Sequence, residues 1–273
     1  MKEMMKGVKT DKFVISWILL ILMLLSYLVP LGLPVNIRTP TRQVYQFVES
    51  LSAVSKPLLL SLDFTAGGAP EVYPTMLAFV RHAVSKGIKL VVVGVGTDEA
   101  TALMNRLFDE SGIKQKYKYG EDYVGIGYIP GGEIAVATLA TNFQQIVKRD
   151  AYGNDISELP LIKDVKDYSS FSAVVPFDTA GVLMFWVRNW TPYPIPLFCA
   201  FTSGSEPRFV TFYNAGQIKG YISGIRGGAE YELLTGYLGT GVKSMDLQSL
   251  THLYAFFLVI VGNLTFLWLR RKK

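Results

Sequence analysis

Between Lys56 and Gly96 the chain alternates apolar runs with short polar breaks, KPLLLSLDFTAGGAPEVYPTMLAFVRHAVSKGIKLVVVGVG. Leu58 to Leu62 is an apolar run that ends in a small polar loop, Asp63 to Ala69. Pro70 then opens a segment with apolar residues at Val72, Met76, Phe79, Val80 and Val84, the spacing of a helix closed by Gly87. Ile88 to Val93 is a second, β-branched run that ends in Gly94-Val95-Gly96. The pattern predicts a βαβ unit with a right-handed crossover. Neither strand shows polar alternation, so both are expected in the middle of a parallel sheet covered on its two faces. Ligands of such sheets meet the loops at the carboxyl ends of the strands. Thr65, Gly67 and Gly68 on the first loop, and Thr97 and Asp98 on the second, are therefore candidate ligand-binding residues.

The same pattern reading extends along the chain. TRQVYQFVESL, after Pro40, has helical spacing at Val44, Phe47, Val48 and Leu51 and predicts an amphipathic helix. Thr97-Asp98-Glu99 is expected to cap a helix that stops at Gly112. Tyr123 to Tyr128 predicts a short strand, with Tyr117 and Tyr119 packing at a sheet edge, and EIAVATLATNFQQIVK a helix from Glu133. The polar loop Lys148 to Pro160 is expected to hinge two halves. In the second half, Ser172 to Phe177 and Ile195 to Phe201 read as strands around a helix holding Leu183 and Trp186. The stretch Phe201-Thr202-Ser203-Gly204-Ser205-Glu206-Pro207 matches Phe64-Thr65-Ala66-Gly67-Gly68-Ala69-Pro70 as F-T-small-G-small-x-P. It raises a duplication of two βαβ halves and adds Thr202, Gly204 and Ser205 to the candidate ligand site. Gly216, Gly220 and Gly224, spaced by four, are expected on one helix face as a packing interface, either inside the domain or with another subunit.

The ends of the chain differ from its middle. Half of all residues are hydrophobic and mean hydropathy is +0.28, with the surplus in two terminal runs. Residues 13–35 and 251–269 are each expected to cross a membrane, being close to the roughly 20 apolar residues that a helical span needs. A cleaved signal peptide is the alternative for the first, but no small-x-small site follows it and Pro30 and Pro34 do. Lys2, Lys6, Lys9 and Lys12 precede the first run, and Arg270, Arg271, Lys272 and Lys273 follow the second. Both flanks, 1–12 and 270–273, are thus expected in the cytoplasm, with an extracytoplasmic α/β domain at 36–250. The net charge of +5 is explained by these flanks, so nucleic acid is not an expected partner. The lipid bilayer is, together with a protein partner or a second copy of the chain.

Candidate chemistry is sparse. The single cysteine, Cys199, lies in an apolar run and excludes an intramolecular disulfide, and neither His82 nor His252 accompanies a serine or cysteine. Asp98, Glu99, Glu121 and Asp122 are oxygen ligands in loops, but acids at helix starts ordinarily serve the helix dipole. The Thr65–Gly68 loop lacks the Gly-Lys-Ser/Thr ending of a nucleotide-binding P-loop. No catalytic residue, metal site or cofactor is assigned. The expected function is a membrane-anchored binding or assembly module. The alternative is a hydrolase resembling crotonase-like membrane proteases, with Gly67-Gly68 as an oxyanion loop but no serine nucleophile.

Four stretches resemble a family of uncharacterised bacterial membrane proteins, a domain of unknown function: GLPVNIRTPTRQVYQFVESL, SLDFTAGGAPEVYP with RHAVSKGIKLV, YGEDYVGIGYIPGG, and AGQIKGYISGIRGGAEYELL. They cover most of the region between the two terminal runs. The resemblance implies an anchored α/β protein and carries no activity.

Overall fold

The computed structural model describes residues 12–28 and 32–271; the basic flank at 1–11, Pro30, and the last two residues of the basic tail lie outside them. In chain order the helices and strands are α1 (Lys12–Leu28), α2 (Thr39–Ser50), β1 (Leu58–Asp63), α3 (Ala69–Ser85), β2 (Leu90–Gly94), α4 (Ala100–Glu110), α5 (Ile113–Lys116), β3 (Tyr123–Tyr128), α6 (Glu133–Thr141), α7 (Phe143–Ile146), β4 (Ala173–Asp178), α8 (Leu183–Trp190), β5 (Phe198–Phe201), α9 (Glu206–Asn214), β6 (Gly220–Ser223), α10 (Gly224–Thr235) and α11 (Thr240–Arg271). The chain divides into two compact units, residues 1–34 with 242–273, and residues 35–241.

In the first unit, the Tyr254 hydroxyl donates to the Ile15 carbonyl at 3.0 Å, and the Asp246 carboxylate accepts from the N–H groups of Gly32 and Leu33 at 3.0 and 3.1 Å. Positions later in the first segment thus meet positions earlier in α11, so the two segments run antiparallel. Among the described residues, α11 is the one helix long and apolar enough to cross a membrane. It starts at Thr240, well before the expected boundary, and its polar residues Asn263 and Thr265 bond to carbonyls one turn back within the helix. Helix α1 is apolar but shorter, at 17 residues.

The second unit holds a six-stranded sheet in the order β3-β2-β1-β4-β5-β6, with every pairing parallel. Strands β1, β2 and β4 are buried at every position, as largely apolar strands of a parallel sheet covered on both faces are. Leu58, Leu60 and Leu62 point into a core shared with α2, α3, α4 and α10, around Phe79 and Tyr231. Leu59 points the other way, into a core shared with α6, α7, α8 and α9, where Trp186, Trp190 and Phe143 are fully buried. The result is three layers, with the sheet in the middle.

Several expectations are corrected. The glycines at 216, 220 and 224 do not share a helix: Gly216 sits in a turn at φ 73°, Gly220 begins β6, and Gly224 opens α10 at φ 60°. The close approach is real at Gly220, where a Cβ would lie 2.9 Å from the Pro40 carbonyl oxygen, and again at Gly228, where it would lie 2.6 Å from Thr75 Oγ1. The helix from Glu133 breaks at Asn142, whose backbone leaves the helical region and whose side chain accepts from Gln145 N–H to cap α7. The loop after Lys148 is not a hinge, because β3 and β4 belong to one sheet. It covers the outer edge of β3, where Ala151 N–H donates to the Gly125 carbonyl at 2.9 Å. Tyr119 and Tyr123 pack edge to face beside it, as expected for a sheet edge.

Candidate functional site

Strands β1 and β4 lie side by side, yet α3 leaves β1 toward one sheet face and α8 leaves β4 toward the other. Their connections leave toward opposite faces, and in open α/β sheets such a reversal of strand order is where a crevice forms above the carboxyl edge. The β2 and β5 loops flank it. Thr65, Gly67 and Gly68 follow β1, Thr97 and Asp98 follow β2, and Thr202, Gly204 and Ser205 follow β5, so every candidate ligand residue lies on this one edge.

The floor of the crevice is two acids absent from the sequence-based candidates. Asp63 and Asp178 end β1 and β4 and are register partners. Asp63 is fully buried and both its carboxylate oxygens are engaged. Oδ1 accepts from Val95 and Gly96 N–H at 2.8 and 3.0 Å, and Oδ2 from Trp186 Nε1–H at 2.7 Å. Its main-chain carbonyl accepts from Thr179 and Ala180. One residue therefore ties the β1, β2 and β4 loops together and anchors α8. Asp178 Oδ1 accepts from Ala180 and Val182 N–H, both at 3.1 Å, and so shapes its own loop. Burial pushes the Asp63 carboxyl above its ordinary range. Burial first, and the Asp63 charge second, push Asp178 up to about 6. The signal in the sequence was an acid closing an otherwise apolar central strand, twice, each time before Thr-Ala-Gly: Asp63-Phe64-Thr65-Ala66-Gly67 and Asp178-Thr179-Ala180-Gly181. The two strands so marked are adjacent at the centre of the sheet, whereas the longer match placed its second copy on β5.

Backbone approach explains the glycines. Gly68 has an ordinary helical φ of −85°, but a Cβ on it would lie 2.1 Å from Thr179 Oγ1, so the β1 and β4 loops touch there. A Cβ on Gly67 would meet only Thr65 Oγ1, at 3.7 Å. Gly68 N–H is spent on the Thr65 carbonyl and hydroxyl, at 3.0 and 3.2 Å. The Gly67 and Gly181 N–H groups have no partner among the described residues and remain available as donors. Thr97 does not cap α4 at its N-cap position, which is Glu99; its hydroxyl instead accepts from Glu99 N–H inside the preceding turn. Glu99 reaches across and accepts from Ala66 N–H, which links the β1 and β2 loops. On the other flank Thr202 and Ser205 hydroxyls lie 3.1 Å apart, and Glu71 of α3 accepts from Ser203 N–H and Oγ–H at 2.7 and 2.9 Å.

Beyond β5 the edge is closed by charge. Arg38 donates from Nε to Glu230 at 2.8 Å and from Nη1 to Glu206 at 3.0 Å, while Thr41 Oγ1 and Arg226 Nε also donate to the buried Glu230. Burial opposes the Arg38 charge, but the two carboxylates outweigh it and raise its pKa.

The edge does not assemble an acid-base-nucleophile set from these residues. His82 is buried between α2, α3 and α10, with Nδ1 2.9 Å from the Tyr231 hydroxyl and Nε2 2.8 Å from Glu49, and His252 is on α11. Asp63 is fully buried with both carboxylate oxygens held by N–H donors, so it does not reach a ligand as a general base. Cys199 is buried in β5, and burial pushes its thiol well above the ordinary range. The four loop acids separate: Asp98 and Glu99 follow β2 at the carboxyl edge, whereas Glu121 and Asp122 precede β3 at the amino edge. No group of three or more His, Cys, Asp or Glu placed to hold a metal occurs among the described residues. No protein-family model, curated protein or solved structure matches the chain.

Proposed function

We propose that the chain is a non-enzymatic, membrane-anchored module that binds a small polar ligand, or a short segment of a partner, in the crevice between the β1 and β4 loops. The reversal of strand order at β1/β4 is the observation that carries this reading, because open α/β sheets bind ligands above the loops on either side of such a reversal. Donors at Gly67 and Gly181 line the groove together with the Thr65 and Thr97 hydroxyls, while Glu71, Asp98 and Glu99 stand around it. Acidic surroundings disfavour an anion, so the ligand is a neutral molecule that offers carbonyl or hydroxyl acceptors. Helix α1 and helix α11 are the two spans, both termini face the cytoplasm, and unit 35–241 lies outside it, as the flanking basic residues favour. The resemblance of its sequence to an uncharacterised membrane family is in keeping with this arrangement. The hydrolase alternative is weakened because Gly68 N–H, one of the two glycine donors it relies on, is already bonded to Thr65, and no serine nucleophile follows either central strand.

The test is a thermal-shift screen of neutral polar small molecules on the full chain in mild detergent, run beside Gly67→Leu. Position 67 is exposed and has room for a side chain, so Gly67→Leu fills the groove without disturbing the packing. A hit that stabilises the wild type and has no effect on Gly67→Leu supports the reading; hits that stabilise both equally place binding elsewhere.

A further inference from the structure

A second cleft lies at the opposite edge of the sheet, where α3 and α4 end. It encloses about 170 Å³ and is lined by Arg81, Val84, Ser111, Gly112, Lys116 and Tyr237. Its polar lining is made of donors. Arg81 uses Nη2 to cap the Glu110 carbonyl at 2.9 Å, which leaves Nε–H and Nη1–H without hydrogen-bond partners among the described residues. Lys116 Nζ, the Tyr237 hydroxyl and Gly112 N–H have no partner among the described residues. Ser111 Oγ accepts from Ile113 N–H and keeps its proton to give. No acidic side chain lines this cleft. The nearby Glu110 carboxylate is already held by Arg106 Nε at 2.7 Å and the Tyr73 hydroxyl at 2.9 Å, with the Arg106 guanidinium lying over the Tyr73 ring.

We propose that this cleft binds a phosphate group, through Arg81 and Lys116 with Tyr237, Ser111 and Gly112 as additional donors. A tetrahedral oxyanion is the group whose acceptors point in several directions at once, and Arg with Lys supplies the charge that its desolvation requires. The phosphate belongs either to an anionic phospholipid headgroup or to a soluble phosphorylated molecule. The cations have one competing role, which is to offset helix ends, Arg81 at the α4 carbonyl it caps and Lys116 in the last turn of α5, and the experiment separates the two.

The full chain in non-ionic detergent is titrated with inorganic phosphate and followed by thermal melting. In parallel it is placed in nanodiscs of phosphatidylcholine with or without phosphatidylglycerol. Wild type is expected to gain a saturable rise in melting temperature in one of the two arms. Lys116→Gln, which breaks no contact, is expected to weaken that response by about tenfold, the loss of one charge-assisted bond, and Arg81→Gln with Lys116→Gln to abolish it. A response to phosphate assigns a soluble ligand; a response only to phosphatidylglycerol assigns a lipid. A response in neither arm, or one untouched by Lys116→Gln, overturns the proposal and leaves the cations as helix-end charges. The Gly67→Leu variant keeps the response, which makes the outcome independent of the crevice reading.

Discussion

Asp63 accepts three side-chain hydrogen bonds in a place where no water reaches. Asp63→Ala strands three donors, those of Val95 and Trp186 buried and that of Gly96 partly so, each buried one worth roughly 1–3 kcal/mol, and is expected to unfold the 35–241 unit or lower its stability by several kcal/mol, read by urea denaturation. Asp178 behaves differently because its carboxylate is held near about 6. A raised folded pKa means that the native state binds the proton more tightly. Its contribution is complete below the unfolded value near 3.8 and is lost as pH rises through about 6. Asn at 178 keeps an oxygen for Ala180 and Val182 and carries no charge. Asp178→Asn is therefore expected to be as stable as wild type or more so at pH 7.5, and to flatten the slope of melting temperature between pH 4 and 6. His82 works in the opposite sense, since burial lowers its pKa against the pull of Glu49 and protonation on acidification costs stability. The Asp178 effect is thus read as the difference between variant and wild type at each pH. These two acids were hard to see in the sequence because the partners of Asp63 lie at positions 95, 96 and 186, and no local pattern links them.

At the scale of the element, what was readable was whatever depends on neighbours in sequence. The all-apolar runs of β1 and β2 and the 3.6-residue spacing of α3 needed only local information. Strand β6 was hidden because four residues starting in glycine, Gly220–Ser223, carry too little pattern to compete with a regular glycine spacing. Two of the three spaced glycines are in close contact, Gly220 with the segment at Pro40 and Gly224 with Ser203 and Glu71 of α3, whereas a Cβ on Gly216 would meet nothing within 4 Å. Gly220→Leu is expected to lower the stability of the unit by about 1–3 kcal/mol through overpacking against the Pro40 carbonyl. Gly204→Ala, where no atom lies within 4 Å of the added Cβ, is the matched control and is expected to change little. Equal melting of the two variants would remove the packing role.

For the whole molecule, the strand order could not be read from the chain, because it is fixed by the pairing of β1 with β4, more distant than β2 and β3. Topology across the membrane is testable directly. A reporter active only outside the cytoplasm is expected to work when inserted at Val54, which is 95% exposed in a turn, and to fail when fused after Lys273. The opposite pattern would reverse the orientation of both spans.

The pairing of residues 58–63 with 173–178 also sets an order in time. Contacts between near neighbours close cheaply, whereas the β1–β4 ladder must first enclose the whole of β2, β3 and their helices. Strands β1, β2 and β3 can meet as soon as they have been made, but one side of β1 stays open until β4 arrives. During that interval Asp63 is hydrated and charged, and its bond to Trp186 cannot form. The finished crevice is thus the last part of the molecule to mature. In pulsed hydrogen exchange during refolding, the amides of β2 are expected to gain protection before those of Thr179 and Ala180, which close onto Asp63.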